Sequence, residues 1–128
     1  MLSKVAYVTL FVNDQDKALD FYTDVLGFEK RADNPLPTGT RFLTVGLAGQ
    51  DLQIVLWPGT HGKAKPTQGL VPGVCTFETS DCRKTFETLK ARGVEFETPQ
   101  PIEQPVAWVA VLRDPDGNRL MLRENRTP

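Results

Sequence analysis

One histidine, two cysteines and a set of carboxylates bound the chemistry open to this 128-residue chain. His61 sits in the run Pro58-Gly59-Thr60-His61-Gly62, where an imidazole is ordinarily just solvated. Without it no Ser-His-Asp set can be built, and the sequence has no glycine-rich phosphate loop. Glu78 is the carboxylate expected inside an otherwise mixed cleft, near Arg123 or Arg119. Burial there would raise its pKa and suit it to general acid or base work, and a Glu–Arg pair on the rim is the plainer reading. Arg41 and Arg123 can grip a carboxylate or phosphate bidentately, although such arginines more often serve structure. Cys75 and Cys82 are too few for a disulfide framework and are not spaced as CxxC. Cys82 should fall in a first helical turn, where a thiol's pKa can drop. Two reduced structural thiols are the plainer reading.

A second kind of chemistry is recognition. Tyr7, Phe11, Phe42, Trp57, Trp108 and Met121 can together wall an apolar, aromatic pocket for a planar ligand. The same residues can equally be core or subunit interface. Lys63 and Lys65, beside His61, read as solvated.

These residues need a scaffold, and the chain writes it twice. Asp14, Lys17, Leu19 and Gly27-Phe28 return as Asp81, Lys84, Phe86 and Gly93-Val94, about 67 residues on. A short alternating apolar run precedes each Asp, at 5–12 and 74–79, as in a strand with two different faces. Each Asp is an N-cap candidate, and each Gly fits a left-handed helix end. Ala18, Phe21, Tyr22, Val25 and Leu26 recur at helical spacing. Strands are expected from Phe28 to Arg31, then over 41–47, 52–57, 94–96, 108–113 and 119–123. Loops are expected at 34–39 and 99–105, and a tight turn at Asp114-Pro115-Asp116-Gly117-Asn118. The fold class is therefore α+β, two tandem β-α-β-β-β modules in one domain. Module 1 spans 1–57, a Pro/Gly-rich linker 58–72, and module 2 73–128.

Composition is that of a globular protein, 40% apolar and 24% charged. A net charge of −1 argues against nucleic acid or anionic membrane as the main partner. Apolar runs are strand-length, so no span of a bilayer is expected. Met1-Leu2-Ser3-Lys4 leads straight into a strand pattern, so a signal peptide is not expected and a cytoplasmic location is.

Strand parity orients the candidates. Val8, Leu10 and Val12 should face the first helix, leaving Tyr7, Thr9 and Phe11 on the other face. Gln53, Val55 and Trp57 should share that open face. In the second half Val74, Thr76, Glu78, Arg119, Met121 and Arg123 should do the same. Trp108 and Phe42 are expected as walls.

Three stretches resemble the vicinal oxygen chelate superfamily, which includes glyoxalase I, bleomycin-resistance proteins and extradiol dioxygenases. They are Asp14-Gln15-Asp16-Lys17-Ala18-Leu19-Asp20-Phe21-Tyr22-Thr23-Asp24-Val25-Leu26-Gly27-Phe28, then Leu89-Lys90-Ala91-Arg92-Gly93-Val94-Glu95-Phe96, then Arg113-Asp114-Pro115-Asp116-Gly117-Asn118-Arg119-Leu120. The resemblance implies paired modules with mixed sheets curled around a cleft, and a homodimer in the small members. It also implies four ligand positions in metal-using members, which fall here on Tyr7, Gln53, Val74 and Met121. None is His, Asp or Glu, the usual ligands of a hard or borderline divalent ion. The expectation is a protein without metal or other cofactor. It would hold a small planar or amphipathic molecule through Tyr7, Phe11, Phe42, Gln53, Trp57, Glu78, Trp108, Met121 and Arg123, as bleomycin-resistance relatives sequester a drug. The alternatives are a glyoxalase-like lyase, isomerase or dioxygenase with an atypical site, acid/base catalysis by Glu78, or a purely structural module.

Overall fold

The computed structural model describes residues 1–59 and 74–126. The chain divides into two compact units, Met1–His61 and Gly62–Pro128.

In the first unit, β1 (Tyr7–Val12) leads into α1 (Gln15–Asp20), followed by β2 (Glu29–Pro35), β3 (Arg41–Gly46) and β4 (Gln53–Pro58). The sheet order is β1-β4-β3-β2, with β1 and β4 parallel and the other pairs antiparallel. Asp14 starts the helix as expected. Its Oδ1 accepts the amides of Asp16 and Lys17 at 2.9 and 3.1 Å, satisfying donors that have no partner within the helix. The helix does not remain α through Leu26. It widens into a π-helical turn, Phe21–Val25, in which Leu26 N–H reaches Phe21 O at 3.0 Å. Gly27, at φ +86°, then reverses the chain. Leu10, Val12, Leu43, Val45, Ile54 and Leu56 make the buried face of this sheet, and α1 packs on it through β4. Val8 follows the same parity but is only half-buried.

Strand β2 extends beyond the expected end at Arg31, into the stretch read as loop. It runs on because β3 offers a ladder, Asp33 to Leu43, Asn34 to Phe42 and Pro35 to Arg41. Pro35 is tolerated at the end of an outer strand, where its missing N–H breaks no ladder. The ladder shifts register between Lys30 and Ala32, a β-bulge with Arg31 as the extra residue.

In the second unit, β5 (Cys75–Glu78) leads into α2 (Cys82–Ala91), then β6 (Glu95–Phe96), β7 (Ile102–Glu103), β8 (Ala107–Arg113) and β9 (Arg119–Asn125). The order is β5-β9-β8-β6, with β5 and β9 parallel and β7 also paired to β8. Asp81 caps α2 by accepting Lys84 N–H at 3.0 Å, and Gly93 closes it at φ +89°. The run 99–105 is not all loop, since it contains β7. Flanking Pro99, Pro101 and Pro105 keep that strand to two residues. The Asp114–Asn118 turn forms as expected. Buried Asp114 accepts the amides of Asp116 and Asn118 at 2.9 and 2.8 Å. Ala110, Leu112, Leu120 and Leu122 are buried, as are Phe86 and Leu89 of α2, which packs on β8 and β9. No helix among the described residues is long and apolar enough to cross a membrane.

Candidate ligand-binding site

The face of the first sheet turned away from α1 carries a hollow of about 440 Å³, lined by Tyr7, Thr9, Phe42, Val55 and Trp57. The ladder explains why these residues meet. Thr9 stands beside Val55, Val55 beside Thr44, and Tyr7 beside Gln53, so alternate residues of β1, β4 and β3 fall on one side. Tyr7 is 50% exposed and meets Phe42 edge to face, with ring centroids 5.6 Å apart. The walls are aromatic and aliphatic, with the Tyr7 and Thr9 hydroxyls as polar points. Such a lining suits a flat, largely apolar molecule.

Gln53 continues this face beside Tyr7. The Thr44 hydroxyl donates to Gln53 Oε1 at 2.6 Å. Phe11 shares the parity but does not line the hollow. Its ring lies against Gly59, where an added Cβ would come within 2.9 Å of Cδ1.

The second-unit candidates are placed differently. Trp108 is not on the open face. Strand parity turns it toward α2, and the Arg83 guanidinium lies 4.6 Å over its ring. Met121 has the expected parity but is 4% exposed, packed with Ala107, Val109, Val111 and Ile102. Glu78 pairs directly with neither Arg123 nor Arg119. Asn125 stands between, donating to Glu78 Oε1 at 2.7 Å and accepting from Arg123 Nε at 2.9 Å. Glu78 is exposed, so the burial expected to make it an acid or base is absent. With Thr79, Ser80, Glu124 and Asn125 it borders a separate hollow of about 370 Å³. Arg119 instead joins Arg113 in gripping Glu97. Burial works to raise the Glu97 pKa, but hydrogen bonds from Arg119 and Arg113 outweigh it and hold the carboxyl below the usual range.

Three further expectations change. Arg41 is not available as an anion clamp. It binds Asp33 bidentately, at 2.9 Å on each side, and Asp16 at 2.6 Å. The Asp33 pKa is lowered, chiefly by those hydrogen bonds. Cys82 is fully buried, and burial with nearby Glu124 and Asp81 pushes its thiol up to about 11, the reverse of an activated helix-start thiol. Burial also raises Cys75. His61, Lys63 and Lys65 lie outside the described residues.

The four positions matching the ligands of metal-using relatives do not fit a metal ion. Val74 has no donor atom, Met121 is buried among hydrocarbon, and Gln53 Oε1 is taken by Thr44, which leaves the Tyr7 phenol alone. The ladders also shift the first-sheet ligand position from Gln53 to Val55. Thr9 neighbours Val55 and Thr76 neighbours Met121, so Val55 is the repeat counterpart of Met121 and likewise offers no ligand. No cluster of three His, Cys, Asp or Glu suited to a metal occurs among the described residues.

Sequence reasoning passed over Thr44 and Asn125. Thr44 carried a usable signal, lying two residues from Phe42 and therefore on the same face. Asn125 lies beyond the expected end of the last strand, and nothing local marked it.

Residues 4–122 match the model of the Glyoxalase/Bleomycin resistance protein/Dioxygenase superfamily. A member of that superfamily from Sphaerobacter thermophilus has a solved structure similar to this chain, with a TM-score of 0.79 and 37% identity, covering 96% of this chain and 98% of its own. TnmS3, an antibiotic binding protein from Streptomyces sp. CB03234, is 33% identical with a TM-score of 0.76, covering 98% of both chains. A probable lactoylglutathione lyase of Vibrio cholerae is 28% identical over 127 residues, 96% of this chain and 91% of that protein.

Proposed function

The chain belongs to the Glyoxalase/Bleomycin resistance protein/Dioxygenase superfamily, and from that premise we propose that it binds a small planar or amphipathic molecule without a metal ion, in the manner of sequestration rather than turnover. The observation that carries this reading is the aromatic hollow of Tyr7, Phe42, Val55 and Trp57 on a sheet face whose metal-ligand positions hold no usable ligand set. Similarity to an antibiotic binding protein agrees with it. Ligand area would be buried against rigid side chains, at roughly 25 cal/mol for each Å² of apolar surface removed from water. The reading includes a homodimer in the cytoplasm. Val5, Val74 and Val106, each more than half exposed, are apolar surface that pairing could cover.

The test is a thermal shift and calorimetric titration with planar aromatics, fluorene and aromatic antibiotics among them, and with Ni²⁺ and Zn²⁺. An aromatic should raise the melting temperature and the ions should not. Trp57→Ala should weaken that aromatic by about 30-fold, the loss of a central contact worth about 2 kcal/mol. The rival reading is a lyase, favoured by the names of relatives such as that of Vibrio cholerae. Stoichiometric metal in the purified protein together with lactoylglutathione lyase activity would replace our proposal with it. Light scattering checks the dimer.

A further inference from the structure

Gln53 stands beside Tyr7, a wall of the hollow, with one end of its amide fixed by Thr44. Thr44 is completely buried, and its Oγ1 accepts the backbone N–H of Ala32 at 3.0 Å. That N–H is available because the bulge at Arg31 breaks the β2–β3 ladder there. Arg31 is held out of the way, its guanidinium over Gly46 and its Nη2 donating to Leu47 O at 2.6 Å. With one lone pair taken, the Thr44 hydroxyl still has a proton to place, and Gln53 Oε1 at 2.6 Å receives it. The flipped amide would give Thr44 a second donor and leave its own proton with no acceptor in a dry site, so the orientation is determined.

The outcome is directional. Gln53 Oε1 is used, whereas its Nε2 has no hydrogen-bond partner among the described residues. No buried side-chain nitrogen or oxygen among them lacks a partner, so this Nε2 is one that solvent reaches. Gln53 lies directly beside Tyr7, a wall of the hollow, and two residues before Val55 on the same face.

We propose that Gln53, set by the Ala32–Thr44 relay, is the specificity-determining donor of the hollow and selects planar ligands that carry a carbonyl or other hydrogen-bond acceptor at one edge. This inference rests on the binding reading and narrows its ligand class. Thr44 is a positioning residue, acting only through Gln53. A ligand lacking the acceptor would strip water from the Nε2–H groups without replacing it, and that asymmetry supplies the selectivity.

The test compares 9-fluorenone with fluorene, flat tricyclics that differ by one carbonyl, by calorimetric titration. The unaltered protein should prefer fluorenone by about tenfold, the worth of one well-placed hydrogen bond. Gln53→Leu should lose that preference, with fluorene binding tighter because no amide is left for it to desolvate. Gln53→Glu, which presents acceptors to an acceptor, should invert it. Thr44→Val should lower the preference without changing fluorene affinity, and far-ultraviolet circular dichroism of each variant checks that it folds. A preference that survives in Gln53→Leu, or equal affinities in the unaltered protein, would overturn the assignment of Gln53 and leave the binding reading standing. If neither tricyclic binds the unaltered protein, the binding reading fails and takes this inference with it.

Discussion

The two sheets share a framework and differ in what their open faces hold. In the first, the face around β1 and β4 carries Tyr7, Phe42, Val55 and Trp57 around a hollow. In the second, the middle of the counterpart face is filled. Met121 is buried with Val109 and Val111, and Glu97 is gripped by Arg113 and Arg119. The counterpart of Val55 is Met121, and one more methylene-rich side chain is part of what separates a hollow from a packed cluster. A duplicated scaffold thus constrains caps, turns and buried leucines, where every copy needs the same physics. It leaves the open faces to diverge.

The largest expected effects test the shared part. Leu56 and Leu120 are both fully buried. Leu56→Ala and Leu120→Ala should each destabilise by ~3 kcal/mol in urea titrations, through lost transfer energy plus a cavity. If one proved nearly silent, the two buried faces would not be equivalent.

The open faces should then separate. Met121→Ala should cost ~2–4 kcal/mol, because its thioether fills a closed apolar cluster. Tyr7→Ala should cost ~1 kcal/mol or less, because half of Tyr7 is already in water and little beyond its contact with Phe42 is lost. Equal costs would mean that the first face is as packed as the second.

The caps give a finer comparison. Asp14→Ala should cost ~1–2 kcal/mol and Asp81→Ala ~1 kcal/mol or less, since Asp14 accepts two helix amides and Asp81 one. Melting of the two variants side by side checks the order.

The smallest difference is in acid. Glu97 and Asp33 both have folded pKa values below their ordinary 4.5 and 3.8. Each therefore adds stability at neutral pH that is lost as pH falls through the lowered folded value. Glu97→Gln should weaken the protein by less than ~1 kcal/mol at pH 7. The gap to the unaltered protein should start closing below pH 4.5, and for Asp33→Asn only below pH 3.8. Urea midpoints at stepped pH test the sequence of the two losses.

The sequence by itself determined the repeat, the caps at Asp14 and Asp81, the reversals at Gly27 and Gly93, and the parity that puts Tyr7, Thr9, Val55 and Trp57 on one side. These follow from local rules: a short polar side chain bonds nearby amides, glycine tolerates positive φ, and side chains alternate along a strand. Tertiary structure decided the rest, because the deciding contacts join residues far apart in the chain. It sent Arg41 to Asp33 and Asp16, turned Trp108 under Arg83, closed hydrocarbon over Met121, and placed Asn125 between Glu78 and Arg123. It also released the Ala32 amide at a bulge and so fixed the Gln53 carboxamide through Thr44. No local pattern encodes that choice, since it depends on the register in which β2 meets β3.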